Sequence, residues 1–423
     1  MILMAHPTGN TNVRHAALAL HRDGLLGEFW TCLNYRDRGW LRRMLPRSLR
    51  GQLRRRACPE ELHAKTRTRS CREALRLLAP RLGLGFLARH ETGPVSVDAV
   101  YRSLDRQVAR RLEDDRFCAV YAYEDGAEES FRAAARLGRT AFYDLPIGYW
   151  RAARAILGEE AELQPAWAPT LTGNRDSAAK TDRKDVELAL ADVVLVASSF
   201  TRRTLEFAPP FRAAVVLAPY GAPPPLPAAT PPRDPGHLLR VLYVGSLGQR
   251  KGLSYLFEAC RQVDGLLQLT VIGARPAVDC PALDRELAAV RWLPGCPHAQ
   301  ILTEMAAHDV FVLPSLFEGF GLVLLEAMAM GLPVITTPHT AGPDLIEDGK
   351  EGFIVPIRDP AAIAARLELL HDEPERLQEM SRQARLCARR FTWESYQARL
   401  AACARTALDH PPAAPACATA PSS

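Results

Sequence analysis

A chain of 423 residues is long enough for two or three domains, each with its own hydrophobic core. Its 48% hydrophobic and 24% charged residues are typical of a globular protein. No run of about 18 apolar residues occurs, and Met1–His6 lacks the basic and long apolar segments of a signal peptide, so we expect a cytoplasmic protein without a membrane-spanning helix.

The cysteines do not form a metal-binding pattern. Ten are scattered along the chain, without a Cys-x-x-Cys pair and without histidines at the spacing of a zinc site. We therefore expect reduced, buried thiols, with no disulfide and no structural metal ion.

The first half of the chain alternates short apolar runs with helical patterns rich in Ala, Leu and Arg. This alternation predicts a parallel sheet covered by helices, and we assign residues 1–218 to one Rossmann-like domain. The predicted strands are Met1–His6, Ala119–Tyr123, Thr140–Asp144, Asp192–Ala197 and Ala213–Ala218.

Within this half, the formal net charge of +5 is unevenly distributed. Residues 34–82 contain fifteen Lys or Arg against four Asp or Glu, and the densest part, Arg36–Arg56, also carries Trp40, Leu41 and Leu45 at helical spacings. Such a segment suits an anionic membrane surface, at the inner face of the membrane, or an acceptor that bears phosphate. It suits a solvated arginine-rich face equally well. Nucleic acid is not expected as a partner, because no known nucleic-acid-binding signature accompanies the charge.

A proline-rich stretch divides the chain. Eight prolines fall within the eighteen residues 219–236, which excludes a helix or a central strand there and predicts a linker over residues 219–239. The alternation of strands and helices then restarts over residues 240–391, with strands predicted at Arg240–Gly245, Gln268–Ile272, Val310–Leu313 and Pro333–Thr337. Residues 392–409 read as a last helix, which we expect to pack back on the first domain, and residues 410–423 as a disordered tail.

Two stretches of the second half carry candidate chemistry. In the first, the strand that ends at Gly245 is followed by a turn with Arg250 and Lys251 just ahead of a helix. Two cations at a helix N-terminus suit a diphosphate leaving group. In the second, Glu318 and Glu326 are separated by seven residues and follow a buried strand.

The turn after Glu318 reads Gly319-Phe320-Gly321-Leu322 and leads into a helix. Backbone N–H groups at such a helix N-terminus suit an anionic or polar ligand. Glu318 would then lie in the turn and Glu326 about two helical turns further along.

The two stretches together resemble the family 4 (group 1) glycosyltransferases of the GT-B fold. The resemblance implies an α/β protein with two Rossmann-like doubly wound domains that face each other across a cleft. It also implies donor binding by Gly245 and the Gly319–Leu322 turn, and retaining transfer of a hexose-type sugar from a nucleotide-sugar donor to a glycan or lipid-linked acceptor in polysaccharide synthesis. Lys251 matches the family's diphosphate lysine, whereas Ser246 stands where many members have an arginine, so Arg250 is expected to supply the second charge.

In this scheme Lys251 and Arg250 stabilise the departing phosphate, Glu318 holds the sugar and Glu326 holds the ribose. The sequence has no Asp-x-Asp, the spacing with which glycosyltransferases of the other main fold hold a divalent cation, so neither a metal nor another cofactor is expected.

The loop after the first strand contains Gly9 and Asn10, and we expect both beside the donor. A single glycine does not make a dinucleotide fingerprint, which counts against an oxidoreductase. On the acceptor or sugar side we expect Glu124, Asp125 and Asp144, which lie at strand ends. Two alternatives stay open: a non-catalytic GT-B module that binds a nucleotide sugar or glycan, and a sugar-nucleotide epimerase.

Overall fold

The computed structural model describes residues 1–35, 51, 53–54, 56–224 and 238–410. Most of the basic segment Arg36–Arg56, residues 225–237 of the predicted linker and residues 411–423 of the predicted tail lie outside this part of the chain. Among the described residues, no helix combines the length and the apolar character that crossing a membrane requires.

A seven-stranded parallel sheet forms the first half. Its strands are β1 (Ile2–Ala5), β2 (Leu26–Thr31), β3 (Thr66–Thr68), β4 (Ala119–Tyr123), β5 (Thr140–Leu145), β6 (Val193–Val196) and β7 (Ala214–Leu217). They lie in the order β3-β2-β1-β4-β5-β6-β7, and all pairs are parallel. The order reverses between β1 and β4, and in such sheets ligands bind at this switch point, beyond the carboxyl ends of the strands.

A six-stranded parallel sheet forms the second half. Its strands are β8 (Leu239–Val244), β9 (Leu267–Ile272), β10 (Arg291–Leu293), β11 (Val310–Leu313), β12 (Val334–Thr336) and β13 (Gly352–Ile354). The order β10-β9-β8-β11-β12-β13 repeats the pattern of the first sheet, with its switch point between β8 and β11. Both halves are therefore doubly wound, as the sequence predicted.

Helices cover both sheets because their crossovers connect parallel strands. In the first half they are α1 (Thr11–Arg22), α2 (Cys71–Leu78), α3 (Val97–Arg111), α4 (Glu128–Leu137), α5 (Trp150–Leu163), α6 (Ala178–Leu190) and α7 (Ser199–Thr204). In the second half they are α8 (Leu253–Gln262), α9 (Pro281–Ala288), α10 (His298–Ala306), α11 (Leu322–Ala329), α12 (Gly342–Leu345), α13 (Pro360–Asp372), α14 (Pro374–Ala388) and α15 (Trp393–Asp409).

The two halves pack against each other. One cluster of buried apolar side chains, which includes Phe29 and Tyr121 of the first sheet and Phe311 and Phe317 of the second half, runs through both. The last helix, α15, returns to the first half and lies against α1, where the rings of His15 and Trp393 stack 3.9 Å apart. This contact places the start of α15 beside α1, which follows the β1–α1 connection.

The predicted linker begins as ordered structure. The Ala222 N–H donates to the carbonyl of Phe391 at 2.8 Å, and Ala222 bridges to Thr392 just before α15. The chain leaving β7 is therefore held against the segment before α15 at Ala222, two residues before the last residue described ahead of residue 238.

Candidate active site

The carboxyl ends of both sheets open into one cleft of about 430 Å³. The first half contributes Asn10, Asn12, Pro146, Ile147 and Tyr220. The second half contributes Val244, Gly245, Arg250, Lys251, Glu318, Gly319, Phe320, Gly321, Leu322, Val323 and Glu326. Apart from Gly9, which precedes Asn10, every residue expected at the donor therefore lines this one cleft.

The basic turn follows β8 as one turn of 3-10 helix, Gln249–Lys251, and ends at Gly252. Gly252 adopts φ +70°, and a Cβ there would lie 2.0 Å from the carbonyl oxygen of Pro314. Only glycine fits this position, because both the left-handed backbone and the neighbouring strand end exclude a side chain. The turn is thus fixed against the segment that leads to Glu318.

Both cations of the turn contact one carboxylate. The Lys251 ammonium donates to Glu318 Oε1, and Arg250 Nη1 lies 3.0 Å from the same oxygen. Arg250 Nη1 also donates to the carbonyl of Phe317 at 2.6 Å. Arg250 thus stands in the cleft as the second cation, whereas Ser246 is exposed and is not among the lining residues.

Burial and ion pairing act in opposite directions on the pKa values of Glu318 and Lys251. Burial alone would raise the pKa of the Glu318 carboxyl, but the charges of Lys251 and Arg250 hold that pKa below its ordinary value. Burial lowers the pKa of Lys251, an effect that Glu318 opposes. Two cations thus share one anion at the base of the cleft, which leaves an excess of positive charge for an anionic ligand.

The Gly-Phe-Gly turn brings the first half close to Glu318. A Cβ on Gly319 would lie 1.8 Å from the carbonyl oxygen of Pro146, so only glycine allows this approach. The carbonyl of Gly319 accepts hydrogen bonds from the hydroxyls of Ser198 and Thr201, the latter at 2.8 Å. Helix α11 then begins at Leu322, and its first N–H groups have no acceptor earlier in the helix.

Glu326 lies on α11, further along the same cleft. Its Oε1 is 2.9 Å from Nε2 of His298, the first residue of α10. The hydrogen bond to Glu326 raises the pKa of His298 above its ordinary value. His298 orients the carboxylate at the position predicted to hold the ribose.

The β1–α1 loop forms the opposite wall. Burial lowers the pKa of His6 to about 3, so the ring is neutral, and its Nδ1 accepts the N–H groups of Thr8 at 3.1 Å and Gly9 at 2.9 Å. Gly9 has φ +64°, and the turn that it makes places Asn10 at the start of α1. His6 thereby fixes the loop that faces the second half.

Residues 233–386, which contain the basic turn, Glu318 and Glu326, match the family model described as glycosyl transferases group 1. The second half of the chain is therefore similar to the group 1 glycosyltransferases. A curated relative, the amylovoran biosynthesis glycosyltransferase AmsK of Erwinia amylovora, is 37% identical over 142 residues, which are 30% of this chain and 35% of AmsK. The chain spans little more than a third of the length of the curated relatives that it matches.

Solved structures match nearly the whole chain and show the fold. A sucrose-phosphate synthase from Thermosynechococcus elongatus is 17% identical with a TM-score of 0.65, over 96% of this chain and 99% of that protein. HepE of Anabaena, solved in complex with UDP and glucose, is 16% identical with a TM-score of 0.59, over 96% and 99% of the two chains. The expected GT-B fold is thereby confirmed.

The residues expected on the acceptor side separate from one another. Glu124 and Asp125 follow β4 and line a second cavity of about 180 Å³. Ile147 and Arg250 line both this cavity and the cleft between the two halves. Asp144 lines neither cavity, because it is buried within β5 and its carboxyl accepts the Tyr121 hydroxyl at 2.6 Å. The expectation that Asp144 contacts sugar or acceptor is therefore corrected to a structural role.

One group of side chains in the described part of the chain is close enough together to hold a metal ion. His90, Glu91 and Asp176 form it on the surface of the first half. Lys180 donates to Asp176 Oδ1 at 2.9 Å, and Lys184 lies 3.2 Å from Oδ2. These ammonium groups already neutralise the carboxylate and oppose a cation there.

Several cleft residues escaped the sequence analysis. Tyr220 lies within the segment assigned to the linker, yet it lines the cleft and its hydroxyl accepts the Asn12 side-chain amide at 3.1 Å. Asn12 lies in the first turn of α1, the helix that follows β1, and this position in the sequence could have identified Asn12 as a cleft residue. No pattern in the sequence indicated His298, because its contact with Glu326 joins residues of two helices that lie 28 positions apart in the chain.

Proposed function

We propose that this protein is a retaining glycosyltransferase that moves a hexose-type sugar from a nucleoside-diphosphate sugar to a hydroxyl acceptor. The observation that carries the proposal is the convergence of Lys251, Arg250 and Glu318 at the base of a cleft lined by both halves. The acceptor is proposed to be a glycan or a lipid-linked sugar in polysaccharide synthesis, the process named for the relative AmsK.

In the proposed mechanism, the bond between the sugar and the diphosphate breaks while charge develops on the leaving phosphate. Lys251 and Arg250 stabilise that charge, which is the step where a preorganised cation contributes most. A bound diphosphate takes over these cations and releases the oxygens of Glu318 to accept sugar hydroxyls. The acceptor hydroxyl then attacks from the face of the leaving group, which takes the proton, so that configuration is retained without a protein nucleophile.

The first experiment identifies the nucleotide. Thermal-shift screening against nucleoside diphosphates should single out one base, because stabilisation grows with the logarithm of ligand concentration over Kd. UDP and UDP-glucose are the first probes, since HepE was solved with UDP and glucose. The matching sugar nucleotide, incubated without acceptor, should release free sugar slowly.

A matched pair of lysine variants tests the site. Lys251→Met should lower donor cleavage by at least a hundredfold, whereas Lys350→Met, which removes an exposed lysine paired with Glu347, should leave it unchanged. If wild-type protein binds the donor yet releases neither sugar nor nucleotide with any acceptor, the protein is a non-catalytic binding module. If it returns an isomerised sugar nucleotide instead, it is an epimerase. NMR of the transfer product decides between retention and inversion.

We further propose that the first half docks on an anionic lipid surface. Leu82 and Phe86, which follow α2, are 65% and 55% exposed, and the neighbouring Leu75, Leu78 and Leu84 are exposed as well. The arginines around them, Arg72, Arg81 and Arg89, are exposed too, and the nearby acid Glu73 is buried against Arg76. This apolar surface with a basic rim lies in the same half as the basic segment Arg36–Arg56, for which the sequence also suggests lipid contact.

Co-sedimentation with vesicles tests the docking surface. Wild-type protein should bind phosphatidylglycerol vesicles but not phosphatidylcholine vesicles, and binding should weaken as salt rises. The double change Leu82→Ser and Phe86→Ser should release it. The control double change Leu386→Ser and Phe207→Ser, at residues that are 43% and 51% exposed elsewhere, should not. Equal release by both pairs would refute the surface.

A further inference from the structure

A buried carboxylate of the first half accepts hydrogen bonds from the second half. Glu160 lies near the end of α5 and is fully buried. Its Oε1 accepts the Gln249 side-chain amide at 2.7 Å and the Tyr255 hydroxyl at 2.9 Å, and its Oε2 accepts the Arg358 Nε–H at 2.8 Å. These donors come from the basic turn, from α8 and from the loop before α13. The carboxylate therefore connects α5 to three segments of the second half.

Gln249 is the first residue of the basic turn, and the first half holds it at two points. Its side chain donates to Glu160, and its backbone N–H donates to Thr170 Oγ1 at 2.9 Å. Arg250 and Lys251 follow it in the same single turn of 3-10 helix, and both line the cleft. The direction in which these two cations project therefore depends on how the first half holds Gln249.

Arg358 completes the contact from the loop between β13 and α13. Its backbone adopts φ +62°, a left-handed conformation that is costly for a residue with a side chain. Its guanidinium donates to Glu160 Oε2, to Glu159 Oε2 at 2.7 Å and to the Ile156 carbonyl at 3.0 Å. All of these acceptors lie on α5, so the strained backbone coincides with a three-point contact between the halves.

The position of the basic turn matters because its cations must be in place when charge develops on the leaving phosphate. A displacement of about 1 Å at such a site can cost about a hundredfold in rate. Arg250 and Lys251 have long, flexible side chains, so the backbone of the turn sets where their charges can reach. Hydrogen bonds to a fully buried carboxylate restrict that backbone, since they exclude water and are strengthened by the low local dielectric.

We propose that Glu160 is a positioning residue, which acts through Gln249 to hold the basic turn so that Arg250 and Lys251 meet the leaving phosphate. Glu160 itself does not line the cleft, and Arg358 fixes its carboxylate from the other side. The inference rests on the proposed function for its catalytic meaning, but the holding of the turn is measurable without turnover. The first half thereby takes part in stabilising the diphosphate, although both cations belong to the second half.

Hydrogen–deuterium exchange on the full chain measures the holding of the turn directly. The backbone N–H groups of residues 249–252 that donate hydrogen bonds report on it. Glu160→Gln keeps the side-chain shape but places an amide N–H against one of the donors, so exchange in the turn should become at least tenfold faster. The control is the neighbouring Glu159→Gln, which loses a contact with the same Arg358 but none with Gln249. In this control, exchange should stay within twofold of wild type.

Exchanging the two side chains tests whether they act as a pair. Gln249→Glu alone places a second carboxylate against Glu160, and kcat for donor cleavage should fall at least tenfold, as in Glu160→Gln. The combined variant Glu160→Gln/Gln249→Glu again sets an amide opposite a carboxylate, with the amide oxygen toward Arg358. Its kcat should recover to within threefold of wild type. KM for the donor should change less than threefold in all three variants, because flexible cations can still reach a ground-state diphosphate.

A second route to the same turn covers the case in which Glu160→Gln does not fold, as judged by circular dichroism. Thr170→Val removes the acceptor of the Gln249 N–H while keeping the side-chain volume, and it should likewise speed exchange in the turn and lower kcat.

The outcomes separate this inference from the proposed function. Unchanged exchange in the turn, unchanged kcat in both single variants, or no recovery in the combined variant would overturn the positioning role. If wild-type protein cleaves no donor yet Glu160→Gln speeds exchange in the turn, the transferase proposal fails and the holding of the turn stands. If donor is cleaved with a kcat that does not depend on Glu160, the positioning role fails and the transferase proposal stands.

Discussion

The contact of Glu318 with both cations predicts an unusual pair of effects for Glu318→Gln. The substitution keeps the shape of the side chain but removes the negative charge that Lys251 and Arg250 share. Because the side chains of Glu318 and Lys251 are only 10% and 11% exposed, solvent screens this contact weakly. Loss of one partner of such a buried pair costs about 3–5 kcal/mol, and the amide oxygen that remains should keep the loss near about 3 kcal/mol.

The same substitution should strengthen the binding of a nucleoside diphosphate. In the wild-type protein the diphosphate must displace Glu318 from Lys251 and Arg250, and a charge-assisted hydrogen bond contributes about 1.5–3 kcal/mol. Removing the competitor should therefore lower Kd for the diphosphate about tenfold, which corresponds to about 1.4 kcal/mol. Turnover should nevertheless fall at least a hundredfold, because the sugar loses its carboxylate.

Calorimetric titration and denaturant unfolding, with and without the diphosphate, measure both effects. The destabilisation of Glu318→Gln should shrink when the diphosphate is bound, since the ligand then neutralises the cations. Glu304→Gln serves as control, because Glu304 pairs with Arg291 outside the cleft and should alter neither binding nor turnover. Weaker diphosphate binding in Glu318→Gln would refute the reasoning, since it would mean that Glu318 supports the nucleotide rather than competing with it.

Three further predictions concern the donor, the metal and pH. Glu326→Gln should raise the KM for the donor about tenfold and change kcat less, because the predicted ribose contact is made in the ground state and the transition state alike. An unchanged KM would show that Glu326 does not bind the ribose. Turnover should survive excess EDTA, and complete loss that Mn²⁺ restores would contradict charge stabilisation by Lys251 and Arg250. Burial raises the pKa of Asp144 from 3.8 to about 7, so the folded state keeps a proton that the unfolded state releases. Stability should therefore fall between pH 4 and 7 by up to about 1.4 kcal/mol per pH unit for this group, and Asp144→Asn should flatten that fall in denaturant unfolding.

The fold and the residues that line the cleft in the second half could be predicted because their signals are local. Arg250 and Lys251 follow a buried strand directly, and Glu318 and Glu326 lie in one strand–turn–helix unit. The strand Leu26–Thr31 was missed for a physical reason. It places the polar Glu28 in a buried position, where Arg111 and the Trp30 indole N–H satisfy it, so the run does not read as apolar.

The strands Thr66–Thr68, Arg291–Leu293 and Gly352–Ile354 were missed because three residues are too few to show a period. Thr66–Thr68 and Arg291–Leu293 complete the outer edges of the two sheets, where exposure lets polar residues enter. The position of such an edge strand is determined by its pairing with the neighbouring strand of the sheet. The sequence of the edge strand alone does not reveal that pairing.

The residues predicted on the acceptor or sugar side could be interpreted only in part from the sequence. Glu124 and Asp125 were identifiable as acids at a strand end, but Lys180, Lys184 and Asp176, which decide what they can bind, come from α6 and the loop before it. Asp144 had the same local appearance as Glu124, and only packing against Tyr121 distinguishes it. Residue type at a strand end therefore predicts polarity, whereas tertiary partners determine whether a carboxylate is available to a ligand.

Gly319 lies in the cleft, as predicted from the sequence, but the sequence reveals only part of the reason why this position is glycine. The sequence gives it a place in an N–H-rich turn beside the donor, and it does line the cleft. The contact that excludes any side chain at this position, however, is with Pro146 of the other half, and its carbonyl is bound by Ser198 and Thr201 of that half. The turn that is predicted to present donor-binding groups is therefore also one of the places where the two halves meet. In the proposed function, the geometry of the donor site and the approach of the first half depend on this glycine, because a larger residue would separate the sugar from the hydroxyl that attacks it.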